Sequence, residues 1–156
     1  MNQAAIKKFW QDYLATLPDE HPHHKANYEA WGFGDSAAMR DELGQLVKAG
    51  KKTATTSAIW EYEDTNEPMP QLSEISIILD GEENPICIIE TVELRTLLFN
   101  EVAAQFAYDE GEDDRTLDSW RKAHHSFFTR SLKEHGREFS DTMPVLCERF
   151  KVIYNP

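Results

Sequence analysis

With 156 residues, of which 40% are hydrophobic and 11% aromatic, the chain has the length and apolar content of a single domain with one sizeable core. Its 16 basic residues stand against 28 acidic ones, and the formal net charge of -12 repels a polyanion at long range, which argues against a broad nucleic-acid groove. What remains is a small ligand, or a short strand gripped by a local basic patch.

No apolar run reaches membrane-spanning length, and no signal-peptide pattern follows Lys7 and Lys8, so a cytoplasmic protein without membrane partners is expected. Cys87 and Cys147 lie in separate apolar runs and read as free buried thiols, in keeping with a reducing compartment.

Along the chain, Ile6, Phe9, Trp10, Tyr13, Leu14 and Leu17 recur at helical spacing before Pro18, which predicts an amphipathic helix. The polar stretch 19–27, with His21, His23 and His24 around Pro22, reads as a loop. Residues 1–27 are therefore expected to pack on a domain formed by 28–156. Next come Trp31, Gly32, Phe33, Gly34 and Asp35, aromatics alternating with glycines ahead of a helix start. The rings are suited to stacking on a base and the first-turn amides to holding an anion, and they suit core packing beside a turn equally well.

Asp35 or Ser36 can cap a second helix carrying Met39, Leu43, Leu46 and Val47 on one face and ending at Gly50. The period then changes. Thr53 to Tyr62 is predicted as a strand, Glu63 to Pro70 as a loop, and Leu72 to Leu79 as a second strand ahead of an Asp80-Gly81 turn. A third strand spans Pro85 to about Thr96. Asn100 can cap a short helix through Tyr108 and Thr116 a longer one closed by Gly136, and a last strand runs from Pro144 to Tyr154. Strands with helices at irregular intervals predict an α+β fold.

Three segments carry chemistry. At Gly50-Lys51-Lys52-Thr53-Ala54-Thr55-Thr56-Ser57 a helix ends and hands a lysine to a strand of hydroxyls, with Thr53, Thr55 and Ser57 on one face by period 2. Tyr108 to Asp118 gathers Asp109, Glu110, Glu112, Asp113, Asp114 and Asp118 around Arg115, and Trp120, Arg121, His124 and His125 follow, a mix suited to planar, anionic ligands. The third is the Trp31 segment. Glu90 and Glu148 sit in apolar runs, where a carboxylate lines a cleft or pairs with Arg95 or Arg149. A metal site built from His21, His23, His24, His124 and His125 is set against the fact that side-by-side histidines in a Pro-containing loop are mostly solvated, so neither metal nor cofactor is expected.

Taken in order, Trp31-x-Phe33-Gly34-Asp35, Asp41-Glu42-Leu43, Gly50-x-Lys52-Thr53-Ala54-Thr55, Glu90-Thr91, Glu110-Gly111-Glu112, Trp120-Arg121 and Cys147-Glu148-Arg149-Phe150 resemble the bacterial ASCH-domain proteins over roughly residues 28–154. The resemblance implies a PUA-like β-barrel with flanking helices and a cleft for RNA or a modified nucleoside. Some relatives are amidohydrolases of acetylated cytidine, and their pattern implies Lys52, Thr55 and Glu110 as the catalytic set here. Around them Trp31, Phe33, Gly34, Asp35, Lys51, Thr53, Ser57, Glu90, Asp114, Trp120, Arg121 and His124 are expected to bind the ligand. The chain departs from the pattern at Asp113, where relatives carry glycine, and at Ser73-Glu74, where they carry Gly-Asp.

In that chemistry Thr55 attacks the acetyl carbonyl, Lys52 takes its proton and Glu110 protonates the leaving amine. A lysine is a base only if its pKa falls from about 10.4 toward 7 to 8, so Glu110 must be protonated or stand several ångströms away. The alternatives are a non-catalytic RNA-binding module and a ribonuclease in which Lys51, Lys52, Arg121 and His124 stabilise a phosphorane.

Overall fold

The structure is a computed structural model and describes residues 2–156. Contacts gather the chain into two compact units, each drawn from separate stretches: residues up to Gly50, Ser73–Glu90 and Lys151–Pro156 form the first, Lys51–Leu72 and Thr91–Phe150 the second. The expected division after residue 27 falls inside the first unit.

In the first unit, α1 (Gln3–Leu14) starts where the Asn2 side chain accepts from the Ala5 amide, and it buries Ile6, Trp10, Tyr13 and Leu14. These meet Ile75, Ile77 and Leu79 of β3 (Ile75–Leu79) and Ile88 of β4 (Pro85–Leu98), giving this unit its own core. All five residues of β3 are buried, the signature of a strand covered on both faces. It pairs antiparallel with the first part of β4, Ile75 opposite Glu90, and parallel with the short β1 (Glu29–Trp31). Sequence alone assigns no element to Glu29–Trp31, because three residues carry no period. Ser36 caps α2 (Ala37–Lys48), as expected.

In the second unit the strand expected over 53–62 is shorter: β2 covers Ala54–Ala58, and α3 (Ile59–Thr65) follows at once. Tertiary contacts override the β-propensity of Ile59, Trp60 and Tyr62 there. Glu61 accepts from Ser131, and Arg137 grips Asp64 through two bonds of 2.7 and 2.9 Å, which hold the turn in helical form until Asn66 ends it in the left-handed region. After β4 comes a single 3-10 turn, Phe99–Glu101, so α4 (Ala104–Glu110) starts later than Asn100. Thr116 caps α5 (Leu117–Lys133), and β5 (Pro144–Tyr154) closes the chain. The core of this unit stacks Phe99 on Trp120 at 5.2 Å and packs Phe128, Leu132, Val145 and Cys147 over Ala54 and Ala58.

The five strands are hydrogen bonded in the order β1-β3-β4-β5-β2, and with five α-helices among the described residues the class is α+β. No described helix is long and apolar enough to cross a membrane. Cys87 and Cys147 are free and buried, and burial pushes their thiols up to about 11 and about 12.

Candidate functional site

Strand β2 lies antiparallel to β5, with Ala54, Thr56 and Ala58 opposite Arg149, Cys147 and Val145. Its burial alternates, so Ala54, Thr56 and Ala58 face the core of the second unit while Thr55 and Ser57 face the other way. Lys52 falls on the same parity as Thr56, and it is only 1% exposed. From the far end of the chain segment, α4 delivers Glu110 and the turn at Gly111 delivers Glu112. Gly111 has φ 73° and a Cβ there would lie 2.4 Å from the Lys51 carbonyl oxygen, so the turn presses against the backbone that leads into β2.

A buried ionic cluster results. Lys52 Nζ donates to Glu110 Oε1 at 3.2 Å, Glu112 Oε2 at 2.8 Å and the Ala54 carbonyl at 3.0 Å, three acceptors for three ammonium protons. Glu110 is filled in the same way. Its Oε2 accepts from Thr56 Oγ1 at 2.7 Å and Trp120 Nε1 at 2.5 Å, and its Oε1 faces Lys52 and, at 3.3 Å, His124 Nε2. His124 Nδ1 lies 2.9 Å from the Trp120 carbonyl, which can only accept, so the imidazole stacked on Trp120 at 4.2 Å is oriented with Nε2 toward Glu110.

Burial alone would raise Glu110, but His124, Lys52 and the donated hydrogen bonds hold its carboxyl well below the usual carboxylate range. Burial also works against the charged form of Lys52, and the Glu110 and Glu112 carboxylates overcome it and raise the ammonium. His124 behaves alike: desolvation is outweighed by Glu110, and the imidazole is raised. Glu112 is the exception, raised because burial outweighs Lys52. The condition under which Lys52 could serve as a base is therefore not met, since an ionised carboxylate stands 3.2 Å away.

Glu110, Glu112 and His124 also bring three potential metal-ligand atoms, two carboxylate oxygens and an imidazole nitrogen, within 4.8 Å of one another. Lys52 already supplies a positive charge to both carboxylates, so part of the charge an ion would meet there is offset by an ammonium.

Beside this cluster the same unit holds a cavity of about 410 Å³, lined by Glu93, Arg95 and Leu97 of β4, Glu101, Ala103, Gln105 and Phe106 around the start of α4, and Cys147 and Arg149 of β5. Cys147 joins the two features, being the cross-strand partner of Thr56. The Arg149 guanidinium lies 5.0 Å above the Phe106 ring and is fixed by Glu93 at 3.0 Å and Asp109 at 2.7 Å.

Of the residues expected from sequence, Lys52, Glu110, Trp120 and His124 come together. Thr55 lies on the opposite face of β2, across from Glu148, and the hydroxyl at Glu110 belongs to Thr56. Ser57 bonds Tyr62 at 2.9 Å, Thr53 closes on the Asp109 carbonyl, and Asp114 accepts from the Thr116 amide and hydroxyl at the start of α5. Lys51 and Arg121 are exposed. Trp31, Phe33, Gly34, Asp35 and Glu90 belong to the first unit, where the rings of Trp31 and Phe33 meet at 4.6 Å and Glu90 faces His23 and Lys151. Sequence reading missed Thr56, Glu112 and the cavity. The parity of Lys52, Ala54, Thr56 and Ala58 was the signal for Thr56.

The chain matches the family model for the ASCH domain over residues 29–154. It is similar to the crystal structure of an ASCH domain from Lactobacillus crispatus JV V101, with 31% identity, 99% of this chain and 97% of that one covered, and a TM-score of 0.91. A second crystal structure, of a protein from Enterococcus faecalis V583, shows 34% identity over 98% of this chain and 90% of that one, with a TM-score of 0.86. No curated protein matches significantly.

Proposed function

We propose that this chain, which belongs to the ASCH-domain family, binds a nucleobase-bearing ligand, either the end of a short RNA strand or a modified nucleoside, in the cavity of its second unit. The cavity carries this reading: at about 410 Å³ it lies within the range of about 300–1,000 Å³ typical of small-ligand sites. Its walls offer what a planar base needs, a guanidinium plane held in place over an aromatic ring and, for an edge, the carbonyl of Gln105, whose amide nitrogen is held by Asp109 at 3.0 Å. The net charge of -12 favours a ligand with few phosphates over a long strand. Calorimetric titration with cytidine, acetylcytidine and a short oligonucleotide at two salt concentrations tests it. Saturable binding that Arg149→Ala weakens is expected, and binding indifferent to that substitution would sink the reading.

A second reading, hydrolysis of an acetyl amide on a cytidine-type base, is favoured by the meeting of Lys52 and Glu110. Water is consumed, and acetate and the free amine are released. In this arrangement Lys52 stabilises developing negative charge as an ammonium, and Glu112 or His124, whose side chains are 21% and 11% exposed where Lys52 and Glu110 are sealed at 1%, takes the proton that the attacking water loses and passes it to the amine as the C–N bond breaks. Release of cytidine from acetylcytidine, compared with Lys52→Met, decides it; equal rates would remove Lys52 from the chemistry.

A further inference from the structure

We propose that Arg95 makes the cavity a phosphate site, so that the ligand is a mononucleotide or the phosphorylated end of a short strand and not a bare nucleoside. The inference rests on the cavity reading above and narrows it. The cavity holds two guanidiniums and two carboxylates. Three of these four are engaged: Arg149 with Glu93 and Asp109, and Glu101 with the Leu98 amide at 2.8 Å. Arg95 alone has no ion pair or hydrogen bond among the described residues, in a chain whose acids outnumber its bases 28 to 16.

A guanidinium left unpaired against so large an acidic excess, on a concave wall, is available to an anion that arrives with the ligand. Its five fixed donors match a phosphate in bidentate fashion. Arg149 serves less well, since its Nε and Nη1 already face Glu93 and Asp109 and its guanidinium lies over the Phe106 ring. One positive group also sets a limit: it suits a single phosphate, in keeping with a chain that repels long polyanions.

The test is calorimetric titration of the full chain with cytidine, cytidine monophosphate and inorganic phosphate, repeated on Arg95→Gln and Arg149→Ala. The monophosphate is expected to bind about ten-fold tighter than the nucleoside, an advantage that Arg95→Gln removes. Inorganic phosphate competing with the monophosphate in wild type and not in Arg95→Gln gives the same answer by a second route. Equal affinities for nucleoside and monophosphate, or an advantage that survives Arg95→Gln, would overturn the phosphate site and leave the cavity reading standing. Binding of none of the three ligands overturns both. Arg95 is exposed, so its replacement is expected to leave the melting temperature unchanged, and any loss of affinity reads on the ligand.

Discussion

Lys52 Nζ lies 3.2 Å from Glu110 Oε1 although 58 residues separate them along the chain. Two local devices bring them together. The parity of β2 turns Lys52 inward with Ala54 and Thr56, and the left-handed Gly111 folds the end of α4 back onto the Lys51 carbonyl. With Glu112 and His124 the cluster sets two basic groups against two acidic ones in a largely buried region, an arrangement that is costly to assemble and far costlier to leave half made.

Replacing Lys52 by Met keeps most of the stem and removes the charge. Glu110 retains Thr56, Trp120 and His124, while Glu112 loses its one described cation at 2.8 Å. A loss of about 3–5 kcal/mol is expected by urea denaturation. Adding Glu112→Gln should restore part of it, because the orphaned carboxylate is then gone; a double variant no better than the single one would show that the pair is not coupled.

Acidity and stability follow from the directions of the shifts. Glu110 is depressed below its ordinary 4.5, so its contribution is present above that pH and is lost as the pH falls through the folded value. His124 is raised above 6.5, so its contribution is full below that pH and is lost as the pH rises through the folded value. The melting-temperature gap between wild type and His124→Gln should therefore be widest at about pH 5.5 and narrow toward about pH 9. A gap that is constant with pH would mean that the imidazole is neutral throughout.

Much of this was legible in the letters and some was not. The caps at Ser36 and Thr116 and the last strand, Pro144–Tyr154, follow from local chemistry, which acts within a few residues. Helix α3 did not show, because what holds Ile59–Thr65 are Ser131 and Arg137, some seventy residues on. At the candidate site, motif order pointed to Lys52 and Glu110, but motif spacing cannot say which of two adjacent threonines faces a carboxylate. Parity can, and it selects Thr56. The cavity is built from β4, α4 and β5 and has no contiguous signature at all.

The two threonines should differ sharply in cost. Thr56→Val deletes the hydroxyl that donates 2.7 Å to Glu110 inside the cluster, and a loss of about 1–3 kcal/mol is expected. Thr55→Val changes a half-exposed position with no described hydroxyl partner and should stay within about 0.5 kcal/mol. Chemical denaturation of both variants checks this, and equal costs would contradict the assigned faces of β2.

Gly111 offers the most local test of the cluster, with a control built into the same chain. Gly111 and Gly136 have nearly equal φ, 73° and 71°, so an alanine at either pays the same backbone cost of about 1 kcal/mol for the left-handed region. Only Gly111 adds a clash, its new Cβ falling 2.4 Å from the Lys51 oxygen and 3.0 Å from the Lys52 nitrogen, where Gly136 has nothing within 4 Å. Backbone cannot rotate away as a side-chain tip can, so the turn must lift and carry Glu112 off Lys52. Gly111→Ala is expected to cost at least about 2 kcal/mol more than Gly136→Ala in urea denaturation. Because Glu112 leaves as a charged partner, the excess should be smaller when Glu112→Gln is already present; an excess that is unchanged in that background would assign the whole cost to sterics and detach the turn from the electrostatics of the cluster.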